Sequence, residues 1–336
     1  MKKHKICKIL LVILAIFLCV AFYELLGICV AYKKQPEVSN TTKKETKNGS
    51  WNKCSENTER AVIIEKNPEA LLQRVRLIKN AKKEIILSTF AFQSDESGKL
   101  ILGALHDAAD RGVHIRLLVD GMESWLDMEG NPYFYGLSSH ENVEIKLYNK
   151  ANPLKPWKIM GRMHDKYLIA DGKRYILGGR NTYNYFLGDF PGHKNYDRDV
   201  LVVCDEPEKE NSVNQLLEYF ETIWEQEDSG YFHNNKKLAN RKSVKNAVLE
   251  LQNSYQKYFE ENKERICDTD YTDETFETEK IALVSNPIHT GSKEPVVWYQ
   301  LGELMKNAKN RVKIHTPYII CNDMMYNTWE EIAENV

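Results

Sequence analysis

The chain has 336 residues, 42% of them hydrophobic and 28% charged, with a formal net charge of −2 at pH 7. A chain of this length and composition can bury more than one domain-sized core. The near-neutral balance gives no broad electrostatic attraction to DNA or RNA, so nucleic acid is an unlikely partner.

The first 32 residues predict a transmembrane signal anchor. Four lysines precede an apolar stretch at 9–32, which as a helix measures ~36 Å against a hydrocarbon core of ~30 Å. Glu24 interrupts this stretch, but the many Leu, Ile, Val and Phe residues outweigh its cost. No small-residue cleavage site follows, so an anchor is favoured over a cleavable signal peptide. The lysine-rich end predicts a cytoplasmic amino terminus and an extracytoplasmic catalytic part in the cell membrane.

Residues 33–60 are polar and predict a flexible linker. In residues 61–230, apolar runs at 84–92, 113–119, 143–148 and 199–203 alternate with amphipathic segments at 99–110 and 211–226. Strands alternating with helices indicate an α/β sandwich with a mixed, largely parallel sheet. Residues 231–280 predict a helical connection to the last part of the chain, 281–336. The aromatic segment 122–156 predicts either a packed loop or an apolar rim that meets lipid.

The run from His164 to Asp171 carries the candidate chemistry, because it reads H-x-K-x-x-x-x-D. On a strand, His164 and Lys166 point to the same side and can face one phosphate. An imidazole can attack phosphorus, and a lysine ammonium neutralises the non-bridging oxygens. Asp171 begins an Asp-Gly pair that predicts a hairpin turn, and its carboxylate can also orient a histidine. This chemistry requires no metal and no cofactor.

The sequence Gly178-Gly179-Arg180-Asn181 follows on the next apolar run. Gly179 lets the backbone approach a phosphate closely, and the Asn181 amide can donate to it. Lys166, Gly179 and Asn181 are therefore the predicted phosphate-binding residues.

A second copy of this unit begins near the end of the chain. Residues 71–92 align without gaps on residues 298–319, an offset of 227, with seven identities. Each copy predicts a helix followed by an apolar strand, and His315 falls on the second of these strands. The same offset puts the partner of His164 at about residue 391, beyond Val336. We therefore expect the chain to be the front part of a two-repeat enzyme.

The motif resembles the signature of the phospholipase D superfamily, and the form Gly178-Gly179-Arg180-Asn181 is similar to bacterial cardiolipin synthase-like members. The resemblance implies a phospholipase D-like α-β-α sandwich, with His164 as nucleophile or acid and Lys166 holding the phosphate. It also implies that Asp171 orients the histidine and that Asn181 gives a supporting contact. Two motifs would meet at one active site, so a homodimer or a missing carboxyl-terminal repeat would complete it.

Three functions are consistent with these residues. The leading one is a membrane-anchored phosphodiesterase or phosphatidyltransferase that acts on phospholipids through a phosphohistidine. The second is a nuclease of the same superfamily that acts as a homodimer. The third is a truncated, catalytically silent remnant, because the second motif is missing from the chain.

Overall fold

The computed structural model describes residues 2–49, 59–204, 211–233, 235–316 and 318–335. Within these ranges nine strands form one sheet, in the order β8-β4-β3-β2-β5-β6-β7-β1-β9. The strands are β1 Arg60–Ile64, β2 Glu84–Thr89, β3 His114–Asp120, β4 Val143–Tyr148, β5 Tyr167–Ala170, β6 Arg174–Gly178, β7 Asp199–Val203, β8 Ser229–Tyr231 and β9 Phe276–Glu277. Only β2, β3 and β4 run parallel to one another.

The sheet is mixed as predicted, but the expectation that it is largely parallel is wrong. The remaining pairs are antiparallel, because β5 and β6 form a hairpin and β7 and β1 continue from it in alternating directions. The hairpin's first strand also pairs antiparallel with β2, next to the parallel trio. The motif therefore enters the sheet at its centre, where both neighbours fix its position.

The described residues form the helices α1 Lys2–Ala31, α2 Asn40–Lys47, α3 Asn67–Asn80, α4 Glu96–Asp110, α5 Trp125–Met128, α6 Pro132–Ser138, α7 Ser212–Trp224, α8 Lys242–Glu261, α9 Lys263–Cys267, α10 Val296–Lys306 and α11 Asp323–Asn335, and some of them cover the two faces of the sheet. One core lies between the sheet and the layer that contains α3, α4, α6 and α8, and a second core lies beneath α7. On β5, Leu168 points into the first core and Ile169 into the second, which is the alternation of a strand buried on both faces. The α-β-α sandwich is confirmed.

The amino-terminal segment forms one long helix, α1. Its part Lys5–Ala31 is long and apolar enough to cross a membrane, a test that a signal sequence also passes. Within the flexible linker predicted for 33–60, residues 40–47 instead form α2, and residues 50–58 lie outside the described ranges. Ser39 caps this helix by accepting from the Thr42 N–H at 3.1 Å, and the Thr42 hydroxyl donates to Glu294 at 2.6 Å. The segment is therefore docked on the last part of the chain.

The second repeat reproduces the helices of the first. α10 lies at the offset of 227 from α3, and α11 begins at Asp323, the same offset from Glu96 at the start of α4. The strand predicted between them is wrong, since no ladder forms at 311–316 and Ile314 is exposed. The equivalent strand β2 pairs with β3 and β5. Segment 311–316 has no such partners among the described residues.

Candidate active site

The motif begins just before β5. Residues 161–166 precede the strand, which starts at Tyr167, although the Lys166 carbonyl oxygen already accepts from the Gly178 N–H at 3.1 Å. The placement of His164 and Lys166 within the strand is therefore wrong by three residues and by one residue. Both nevertheless line one cavity of ≈ 470 Å³, as their alternation predicts. Gly179 and Asn181 line the same cavity. The fold thus brings together His164, Lys166, Gly179 and Asn181.

Lys166 is 5% exposed and lies in the wall of this cavity. Its ammonium donates to the His164 carbonyl oxygen at 2.7 Å and lies 5.1 Å from the centre of the Phe90 ring. Burial lowers the pKa of Lys166 to about 8, although nearby Asp165 and Asp197 oppose the shift. The side chain is therefore still mostly charged at pH 7 and suited to hold an anion.

His164 is exposed to the cavity and packs against Phe90, with ring centroids 4.6 Å apart. Burial lowers the pKa of its imidazole, and the Lys166 charge lowers it further, against an opposing effect of Asp120. The neutral imidazole therefore predominates near pH 7. That form carries the lone pair that an attack on phosphorus requires.

Asp171 lies at the opposite end of β5 from His164. Its carboxylate accepts from the backbone N–H groups of Lys82, Lys83 and Glu84 at 2.9, 2.7 and 3.0 Å. All four residues of β5, which span ~13 Å, lie between Asp171 and His164, so the predicted role of orienting His164 is wrong within this chain. The turn prediction is confirmed, because Asp171 and Gly172 have φ of 54° and 64° and close the hairpin.

The loop after β6 brings Gly179 and Asn181 to the cavity. A β-carbon at Gly179 would collide with the Asp197 carboxylate, so a larger residue there would require this carboxylate to move. The Asn181 amide oxygen accepts from the Ala91 N–H at 3.2 Å. Its N–H₂ group contacts the Tyr183 hydroxyl and has a second hydrogen to donate to a ligand. The Gly179 backbone was predicted to approach a phosphate closely, and in the structure it lies close to the Asp197 carboxylate instead.

Sequence reasoning missed what fixes this loop. Arg180 and Arg74 both contact the Asp199 carboxylate, at 3.2 and 2.9 Å, and all three side chains are almost fully buried. Arg180 also donates to the Asn67 amide oxygen at 3.1 Å. The sequence did contain a signal, because Asp199 directly precedes a run of four apolar residues. A carboxylate beside a buried strand predicts a charged partner, since a carboxylate is rarely buried unless it is paired.

Asp165 was also missed, although its position between His164 and Lys166 places it on the opposite face. It accepts from the Tyr219 hydroxyl at 2.7 Å, and burial raises the pKa of its carboxyl. It lines a second cavity of ≈ 400 Å³ together with Lys293, and His164 and Lys166 line this cavity as well. The period-two pattern that joined His164 to Lys166 would have indicated it.

The second repeat also contributes to the cavity wall. His315, Thr316 and Tyr318 are among the residues that line it. The residues come from an extended segment rather than from the strand that the alignment suggested.

Residues 74–224 match the family described as the cardiolipin synthase, phospholipase D-like domain. An uncharacterized protein of Helicobacter pylori strain J99 is 30% identical over 212 residues, which are 59% of this chain and 39% of that protein. Cardiolipin synthase C of Escherichia coli K12 is 29% identical over 171 residues, 47% of this chain and 34% of that protein.

A solved structure, the phospholipase D family member Nuc from Salmonella typhimurium, has 20% identity and a TM-score of 0.38, over 52% of this chain and 99% of that one. The chain spans less than half the length of the two curated relatives above. The matched region contains the whole H-x-K-x-x-x-x-D run and the Gly178 to Asn181 loop. Residues 74–224 therefore form a phospholipase D-like domain similar to that of the cardiolipin synthases.

Proposed function

We propose that this protein is a membrane-anchored phosphodiesterase or phosphatidyltransferase that acts on phospholipids through a phosphohistidine at His164. The observation that carries the proposal is that His164, Lys166, Gly179 and Asn181 line a single cavity. A neutral imidazole, a cation and an amide donor are the groups that attack and hold a phosphodiester. The family match supports the lipid substrate over other phosphodiesters.

In the first step a nitrogen of His164 forms a bond to phosphorus, and the bond from phosphorus to the leaving alcohol breaks. Lys166 neutralises the negative charge on the non-bridging oxygens while this happens. In the second step water or a lipid alcohol attacks phosphorus, and the bond to His164 breaks. Hydrolysis or transfer results, according to which acceptor arrives.

The leaving alkoxide needs a proton in the first step. We assign this proton to a second imidazole, supplied by a second motif in a further repeat or in a second copy of the chain. His315 is exposed and lines the cavity, so a variant at this position reports whether it contributes.

Membrane anchoring by α1 is part of the proposal. The helix is apolar from Lys5 to Ala31, and lysines occupy its first turns, which favours a cytoplasmic amino terminus. Protease protection of the full chain in sealed vesicles would test this orientation. Anchoring would keep the cavity close to a phospholipid substrate.

The test is to trap the intermediate. The full chain in detergent is incubated with phosphatidylglycerol that carries a radioactive phosphate, and denatured protein is examined for an acid-labile, base-stable label. We expect label on the native chain and none on His164→Ala. His233→Ala is the matched control, because His233 contacts Glu129 and does not line the cavity.

Three results would contradict the proposal in different ways. Label that persists in His164→Ala would exclude His164 as the nucleophile. An adduct with a DNA oligonucleotide and none with lipid would favour the nuclease. No adduct with either substrate would favour a silent remnant.

A further inference from the structure

The loop between β4 and the motif, residues 149–162, exposes three large apolar side chains. We call it the β4 loop. Leu154 is 76% exposed, Trp157 43% and Met160 59%. Three such side chains within seven residues form a local apolar surface beside the catalytic motif.

The β4 loop packs against α1. The Tyr23 hydroxyl donates to the Leu154 carbonyl oxygen at 2.9 Å. One turn further along α1, Gly27 lies so close to Pro156 that a side chain there would collide with the proline ring. The loop therefore runs alongside residues 23–27 of the helix proposed to cross the membrane.

The length of α1 fixes the level at which this contact occurs. A hydrocarbon core of ~30 Å takes up ~20 helical residues. Counted from Lys5 or from Ile9, the far boundary of the core falls at about residue 25 to 28. Tyr23 and Gly27 lie at that level, and tyrosine favours the membrane–water interface. Leu154, Trp157 and Met160 are thus carried to the surface of the bilayer.

The loop is braced, so its apolar side chains do not turn inward. The Asn149 amide donates to the carbonyl oxygens of Lys158 and Gly161 at 2.7 and 2.8 Å. The Lys158 ammonium pairs with Asp228 at 2.7 Å. These contacts bind polar groups of the loop to the protein, whereas the side chains of Leu154, Trp157 and Met160 remain exposed to solvent.

We propose that the β4 loop is a membrane-seating surface, with Leu154, Trp157 and Met160 embedded among the lipid headgroups and upper acyl chains. The inference rests on the membrane anchoring that we propose for α1. Lys155, exposed between Leu154 and Pro156, is placed to reach lipid phosphates while its stem lies along the apolar surface. Met160 precedes His164 by four residues, so the same loop sets the catalytic cavity at headgroup depth.

The experiment uses the photoreactive amino acid benzoylphenylalanine in the full chain, reconstituted in vesicles of phosphatidylethanolamine and phosphatidylglycerol. It replaces Trp157 or Leu154 in separate variants. The matched control replaces Phe276, which is 72% exposed on β9. β9 lies seven strand spacings from β4, ~34 Å away across the sheet. Irradiated protein is analysed by mass for attached phospholipid.

We expect roughly tenfold more lipid attachment at positions 157 and 154 than at position 276. Equal attachment at all three positions, or attachment at 157 only to another protein, would overturn the inference. The measurement is repeated in a His164→Ala background, which removes the proposed chemistry. Lipid attachment there, without a phosphohistidine in the native chain, would support the seating surface and contradict the proposed function.

Alkaline extraction of the same vesicles separates failure of anchoring from failure of the loop. Protein that stays in the membrane but shows no lipid at 157 and 154 would overturn the seating surface alone. Protein that is extracted would overturn the anchoring and the seating surface together. The phosphohistidine assay in detergent is unaffected by either result.

Discussion

The Lys166 ammonium donates a hydrogen bond of 2.7 Å to the carbonyl oxygen of His164, the other cavity residue of the motif. This contact holds the lysine head beside the proposed nucleophile. It also keeps the ammonium in a confined place, where burial lowers the pKa of Lys166 to about 8. The charge that holds a phosphate is therefore present at neutral pH and lost in mild alkali.

Phosphate affinity should depend on pH through Lys166. Below about pH 8 the ammonium is charged, and above it the charged fraction falls about tenfold per pH unit. We expect the affinity for inorganic phosphate, measured by calorimetry, to fall from pH 8 to pH 9.5 in the native chain. In Lys166→Arg the guanidinium stays charged, so the decline should be absent. An unchanged affinity in the native chain would exclude Lys166 as the phosphate ligand.

Asp171 should act on stability rather than on chemistry. Asp171→Ala removes an acceptor shared by three backbone N–H groups and puts alanine, which tolerates positive φ less well than aspartate, at φ 54°, so unfolding should become easier by about 2–3 kcal/mol. Asp171→Asn keeps an oxygen acceptor and tolerates this φ, so it should cost less. Thermal unfolding in detergent measures both. If Asp171→Ala lost the His164 adduct while its unfolding temperature stayed unchanged, the proposal that Asp171 orients His164 would be supported again.

Asp165 should make the stability depend on pH with a definite sign. Burial raises its pKa above 3.8, so the folded chain binds more protons than the unfolded chain between 3.8 and the raised value. Stability therefore falls as the pH rises through this window. We expect Asp165→Asn to raise the unfolding temperature at pH 7 and to have little effect at pH 3.5.

Tyr219→Phe should have the opposite effect at pH 7. It removes the hydroxyl that donates to Asp165 and should cost about 1–3 kcal/mol. Glu218→Gln, at an exposed position on the same helix, is the control and should change stability by less than about 0.5 kcal/mol. Equal unfolding temperatures for all three variants and the native chain would exclude an energetic role for the pair.

Asp199 should contribute far more to folding stability than an exposed carboxylate that lies near the same cavity. Asp199→Ala leaves the buried Arg74 and Arg180 without their shared partner and should cost about 3–5 kcal/mol. Glu65→Ala breaks only the exposed pair with Arg198 and should leave the stability nearly unchanged. Chemical denaturation compares them. Similar losses would show that the buried network does not hold the Gly179 loop.

Much of the fold follows from local patterns. The strands 143–148 and 199–203 were predicted at their observed bounds, because alternating or continuous apolar runs between polar segments specify a strand locally. The apolar helix α1, the Asp171–Gly172 turn and the repeat helices α10 and α11 follow in the same way. Their hydrogen bonds lie within the element or its turn.

What the sequence could not supply is which elements become neighbours. The predicted strand at 311–316 fails because a strand needs partners from other parts of the chain, and helix 40–47 was missed because its docking on Glu294 is a contact over 252 residues. The distinction between local patterns and long-range contacts also applies to the residues of the active site. The sequence by itself determined that His164 and Lys166 share a face, since that is a property of extended backbone. Only the tertiary structure decided that the Asp171 carboxylate accepts hydrogen bonds from the backbone at 82–84. It also decided that Asn181 and His315 line the cavity, because such contacts join parts of the chain that are far apart in sequence.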